Sequence, residues 1–206
     1  MLAKVKNILA GAHDKKKFFK IIATLYPTLD WRYKLIEKAY KDAKDAFRET
    51  RREDGQRYFE HLRAVALIAI LYLRTHDYRI IVAALLHDIV EDIPSWTIER
   101  VRAEYGEEIA LLVEWMTKPS ADFPDKEECH LVYHRRFIHA PREFFILKMA
   151  DRLHNLLTMW VCTAEKRARK IGETRRFYLP FAEKHFILIH ELEAAIEELL
   201  ALPIVE

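Results

Sequence analysis

Residues Ile80 to Asp92 read IIVAALLHDIVED, and the fold of the chain turns on how this stretch is taken. Ile80 to Leu86 is an unbroken apolar run compatible with a helix, and His87, Asp88, Glu91 and Asp92 follow within six positions. On a helix, residues four apart share a face, which pairs His87 with Glu91 and Asp88 with Asp92. Carboxylates and an imidazole at the end of an apolar segment are costly to bury without a compensating positive charge. A divalent ion supplies it, because one ion neutralises several carboxylates and occupies the imidazole lone pair. Taken alone, the string fits equally a helix end with solvated acids and a half-buried histidine.

The rest of the composition favours helix. The chain has 206 residues, 51% hydrophobic and 32% charged, with only four glycines. Sheet-rich and Rossmann folds need glycine in turns and phosphate loops, so this poverty, with abundant Ala, Leu, Glu, Lys and Arg, predicts an all-α bundle of about ten helices. One domain over residues 1–206 is expected at this length. The formal charge of +2 implies no bulk attraction to nucleic acid. Cys129 and Cys162 are too few for a disulfide framework. No apolar run approaches the roughly 20 residues that span a bilayer, and the N-terminus lacks the order of a signal peptide. The expectation is a cytoplasmic protein without membrane or nucleic-acid partners.

Working outward, Lys4 to Ile22 holds amphipathic pieces broken near Gly11, and Asp30 caps a helix running to about Thr50. Arg48 to Arg57 (RETRREDGQR) reads as a polar loop, followed by a helix from Tyr58 to about Arg74 with His61 in its first turn. After Pro94, Ser95 is the expected cap of a helix over Ile98 to Tyr105. Gly106 separates it from another over Glu107 to Met116. Lys118 to Asp125 is a proline-containing loop, and Glu127 to His139 is helical. Arg142 to Trp160 is apolar on most sides and therefore central. Glu165 to Tyr178 and Phe181 to Leu202 complete the helices.

His61, His87, Asp88, Asp151 and Asn155 are the polar residues that look out of place on these apolar helices. Nitrogen and oxygen ligands of this mix suit Mn²⁺, Fe, Zn²⁺ or Mg²⁺, and the absence of thiolate argues against a closed structural zinc site. Two histidines and two aspartates leave coordination positions for water and a phosphate oxygen, as metal-assisted hydrolysis requires. Glu91 and Asp92, one turn on, are placed to take or orient a proton.

The order His, His-Asp, Asp is that of the HD phosphohydrolases, and longer strings narrow the resemblance. GQRYFEHLRAVA, AALLHDIVED, YGEEIALLVEWMTK, LKMADRLHN and GETRRFYLPFAEKH each resemble, in order, segments of the hydrolase domain of RelA/SpoT homologues. The likeness runs from near Leu25 to about His185, with the terminal helices expected to pack on it. With no further region after Glu206, the chain looks like a free-standing small alarmone hydrolase. The resemblance implies an HD-type fold, Mn²⁺ as cofactor, and hydrolysis of the 3′-pyrophosphate of guanosine tetra- or pentaphosphate. By position it makes His61, His87, Asp88 and Asp151 the metal ligands and Glu91 and Asp92 the water-activating pair. Arg52 would pack on the purine, while Asn155 and Thr158 would contact the nucleoside and its 5′ phosphates.

The chain departs from the family at Leu62, where a proline is usual, at Glu53 and Asp54, and at Leu157, where an arginine is common. These departures bear on the nucleotide more than on the chemistry. The alternatives are an HD-type hydrolase of an adenosine alarmone, NADPH or a nucleoside mono- or triphosphate, and a module that binds alarmone without cleaving it. A positive patch drawn from Arg52, Lys118, Lys148, Arg135 and Arg136 is expected to meet the phosphates. His154 reads as structural, and Cys129, His130, His134 and His139 as exposed helix rather than a second metal site.

Overall fold

Beyond Arg79 in its first turn, the Tyr78–Leu86 helix is apolar all round, and a helix with no polar face finds its place at the centre of a bundle. Ile80 is 2% exposed and every residue from Ile81 to Leu86 is fully buried in the computed structural model. The structure describes residues 1–11, 14–119 and 125–203, without the side chain of Lys126.

The helices are α1 (Leu2–Leu9), α2 (Lys15–Leu25), α3 (Trp31–Ala46), α4 (Tyr58–Leu67), α5 (Tyr78–Leu86) and α6 (Ile89–Asp92). They continue with α7 (Ile98–Tyr105), α8 (Glu107–Met116), α9 (Lys126–Arg136), α10 (Arg142–Thr158), α11 (Ala164–Glu173), α12 (Leu179–His185) and α13 (Ile189–Leu200). No strand occurs among the described residues, so the all-α expectation is met. α3, α4, α8 and α10 pack around α5. α1 lies against α4 and α13, with Lys6 reaching Glu198 at 2.6 Å. Truncating a core residue such as Leu85 to alanine is expected to cost about 2–5 kcal/mol.

Several boundaries differ from the sequence reading. Thr97, not Ser95, caps α7, its hydroxyl accepting from the Arg100 amide at 3.2 Å, while the Ser95 carbonyl accepts from the Arg100 guanidinium. α3 ends at Ala46, and the chain beyond Leu67 widens into a π turn over Ile68–Tyr72 that closes before Arg74, where φ is 58°. The helix expected from Phe181 to Leu202 is broken, because Phe186 and Leu188 both take φ of 56°. The Ile187 amide there reaches back to the Ala182 carbonyl at 2.9 Å, a cap that ends α12 and lets α13 fold back onto α10. The Lys118–Asp125 loop lies outside the described residues from 120 to 124.

The 48–57 loop is a tight turn. The Arg52 amide donates to the Gln56 carbonyl (2.9 Å), and the Gly55 amide to the Arg52 carbonyl (3.0 Å). Gly55 sits at φ 79°, a conformation that a side chain would strain. This turn holds Arg52 over the C-terminal half of α10.

Candidate active site

α5 does not run straight into α6. Asp88 has φ −102° and ψ 0°, in the sparsely allowed bridge region where many active-site residues sit. The interruption puts His87 and Asp88 at the mouth of the core, where His61 from the first turn of α4 and Asp151 from mid-α10 meet them. His87 Nε2 lies 3.1 Å from Asp88 Oδ2 and 3.8 Å from Asp151 Oδ1. His61 Nε2 lies 3.3 Å from Asp151 Oδ1 and 3.7 Å from Asp88 Oδ2. Ligand atoms of His61, His87 and Asp88 all fall within 4.8 Å of one another, a grouping able to hold a metal ion.

The donor chemistry fits a cation. His87 is fully buried, its Nδ1 faces the Ala84 carbonyl at 2.9 Å, and its Nε2 has no hydrogen-bond partner. A backbone carbonyl on one ring nitrogen fixes the proton there and turns the other lone pair toward a metal. Burial alone would lower the His87 pKa, but the Asp88 and Asp151 carboxylates reverse this and push it up to about 10. The same field that holds a proton on this nitrogen favours a divalent ion, which competes for the same lone pair. Burial pushes His61 down to about 4, with Arg52 adding to the effect. Burial would also raise both aspartates, yet His87 holds Asp88 low, and Lys148 at 3.2 Å holds Asp151 low. Once His87 gives up its Nε2 proton, Lys148 alone faces two ionised carboxylates, and a cation would balance the remaining negative charge.

Around this centre stand Tyr58, to which the sequence assigns no role, and His154 and Asn155 of α10. The Tyr58 hydroxyl, kept protonated by burial and by Asp88, donates to Asp88 Oδ2 at 2.8 Å. His154 Nδ1 faces His61 Nδ1 at 2.8 Å. The Asn155 amide donates to Asp151 Oδ1 at 2.5 Å, so Asp151 and Asn155 do share one face of α10.

Glu91 and Asp92 follow in α6. Glu91 accepts from the Lys118 amide (3.2 Å) and Nζ (2.6 Å). Asp92 is an exposed residue, yet partial desolvation of its carboxyl, with Asp88 and Glu91 nearby, pushes it up to about 6.

Arg52, Asn155 and Thr158 come together as one cluster. The Arg52 guanidinium donates to Asn155 Oδ1 (2.9 Å) and Thr158 Oγ1 (3.1 Å). They line a cleft of about 360 Å³ with Arg51, Glu53, Tyr58, Cys162, Lys166 and Lys170. The cations of this cleft are thus Arg51, Arg52, Lys166 and Lys170. Of the patch expected from sequence, Lys118 and Lys148 are engaged by Glu91 and Asp151, and Arg136 lies over the Trp115 ring at 4.9 Å. Glu53 is held by Lys166 and accepts from the Cys162 thiol at 2.8 Å. His134 and Cys129, expected on an exposed helix, are instead buried: His134 stacks on Phe177 at 4.2 Å with its Nδ1 facing the His130 carbonyl, because this side of α9 packs on the aromatic core.

The fold is that of an HD domain, and the HD-domain family model matches residues 39–187. The chain belongs to that family. Among its relatives are the bifunctional (p)ppGpp synthase/hydrolase SpoT of Escherichia coli, 35% identical over 170 residues, which are 81% of this chain and 24% of that protein. Another is a guanosine-3′,5′-bis(diphosphate) 3′-pyrophosphohydrolase of Aquifex aeolicus, 37% identical over 72% of this chain and 21% of the relative. The chain therefore spans about a quarter of the length of these relatives. A solved structure of a metazoan ortholog of SpoT, described as hydrolyzing ppGpp, matches with a TM-score of 0.74 at 22% identity. That match covers 86% of this chain and 99% of the other and bears on the fold. No described helix is long and apolar enough to cross a membrane.

Proposed function

We propose that the protein is a metal-dependent pyrophosphohydrolase that removes the 3′-pyrophosphate of guanosine tetra- or pentaphosphate, leaving GDP or GTP. The observation that carries this reading is the orphaned, buried His87 Nε2 among His61, Asp88 and Asp151, beside a cleft with Arg52 on its wall. Relatives named for this reaction support the choice of substrate. His61, His87, Asp88 and Asp151 would hold one divalent ion, Mn²⁺ in the first instance. When bound, it polarises a phosphoryl oxygen and makes water more acidic.

Glu91 and Asp92 orient the attacking water and accept its proton, a task suited to a carboxyl group poised near pH 6. The water oxygen bonds to the phosphorus as the bond from that phosphorus to the ribose 3′ oxygen breaks; the electron pair leaves on the 3′ oxygen, the proton taken by the acidic pair returns to it as the hydroxyl, and pyrophosphate is released. Arg52 releases Asn155 and Thr158 and stacks on the purine, for which a planar guanidinium is suited. Asn155 and Thr158 then serve the nucleoside, and Lys166 and Lys170 lie where further phosphates meet positive charge.

The test is anion-exchange analysis of products from guanosine and adenosine alarmones with and without Mn²⁺. Manganese-dependent pyrophosphate with GDP or GTP supports the reading; orthophosphate, triphosphate or no product refutes it.

A further inference from the structure

Resting on the metal-site reading above, we propose that His154 is a positioning residue that holds His61 in the tautomer whose Nε2 lone pair faces the ion. The two Nδ1 atoms face each other at 2.8 Å, and a contact of that length needs one proton between them. His61 Nε2 is the atom turned toward Asp151 and Asp88, at 3.3 and 3.7 Å. For that nitrogen to offer a lone pair, a neutral His61 carries its proton on Nδ1 and donates it to His154 Nδ1. His154 then carries its own proton on Nε2.

The surroundings accommodate that arrangement. His154 also lines a second cavity of about 250 Å³ behind the site, with Gln56, Glu60 and Thr158 on its walls. No buried unpaired nitrogen is left on His154. The Thr158 hydroxyl bonds the His154 carbonyl at 3.0 Å, which ties this residue's backbone to the last turn of α10. The two histidine ligands are thus oriented by different means: His87 by the carbonyl of Ala84, His61 by a side chain. A backbone acceptor cannot be removed by substitution, whereas His154 can, which makes the idea testable.

The experiment compares Mn²⁺ affinity, by chelator competition, in the full chain and in His154→Leu, His154→Gln and His61→Ala. Outer partners of ligating histidines are worth roughly 10- to 100-fold in metal affinity. His154→Leu should therefore bind Mn²⁺ roughly 10- to 100-fold more weakly, and His154→Gln, whose amide oxygen can still accept, should recover most of it. Imidazole-nitrogen NMR of the Mg²⁺-loaded chain should show His154 protonated on Nε2. Unchanged affinity in His154→Leu, equal losses in both variants, or His154 protonated on Nδ1 would each overturn the assignment. If His61→Ala also left affinity untouched, the metal site itself would be misplaced. If only that variant lost affinity, the failure would be confined to His154.

Discussion

At the His61–His87 end of the site the polar side chains are buried and anchored in α4, α5 and α10. At the Arg52–Lys166 end they sit half exposed on a turn and on α11, held by surface ion pairs. The first end is set by the core packing around α5, so its geometry is in place before any ligand arrives. The second is made of contacts that a ligand must exchange for its own. Asn155 joins them, donating to Asp151 and accepting from Arg52. The contrast suggests that chemistry is the rigid property of this site and nucleotide choice the adjustable one.

The largest expected effect tests the rigid end. Asp88→Ala or Asp151→Ala should abolish turnover and Mn²⁺ binding together; a variant keeping full turnover would remove the aspartate from the site. Glu91→Gln should lower kcat by about 10²- to 10⁴-fold while the ion stays bound, as loss of a proton acceptor would. Retained kcat in a steady-state assay would pass that role to Asp92 alone.

Beneath the cleft, Glu173 accepts from Arg152 (3.0 Å) and Lys170 (2.9 Å) and faces His134. Burial would raise its pKa, but His134, Arg152 and Lys170 together hold it well below the usual 4.5. A carboxylate depressed in the fold contributes stability above its unfolded pKa, and that contribution is lost as pH falls. Glu173→Gln should cost roughly 3–5 kcal/mol at neutral pH, the scale for breaking a buried ion pair. It should also flatten the loss of stability below about pH 4.5 in denaturant titrations.

Smaller effects probe the adjustable end. Arg52→Ala should raise KM with little change in kcat, by an amount matching about 1–3 kcal/mol of lost stacking. An equal fall in kcat would place Arg52 in the chemistry instead. Glu53→Gln, by freeing Lys166, should lower KM by a factor of about five or less at low salt, the scale of an exposed ion pair, and the gain should fade at high salt.

The same contrast decides what could be read from the residues alone. His87 and Asp88 stood out because acids directly after a seven-residue apolar run need an explanation, and the helical periods around His61 and Asp151 placed them inward. Lys166 and Lys170 did not, because lysines on an amphipathic helix look the same whether they face solvent or a cleft. His154 reads as structural in the sequence, since its partner His61 lies 93 residues away and no local pattern marks that meeting. The break at Phe186–Leu188 was missed because neither residue is a glycine. Lys118 lies beside Glu91 through tertiary packing of the α8 end, which spacing cannot show.

The side chains of His61, His87 and Asp151 come from α4, the cap that ends α5, and α10. An ion bound among them would act as a cross-link between points distant along the backbone, present only in the folded chain. At a hundred times its dissociation constant such an ion adds about 2.7 kcal/mol to folding. Thermal unfolding should then report loading directly, with the midpoint climbing as manganese is titrated in and falling back when a chelator strips it out.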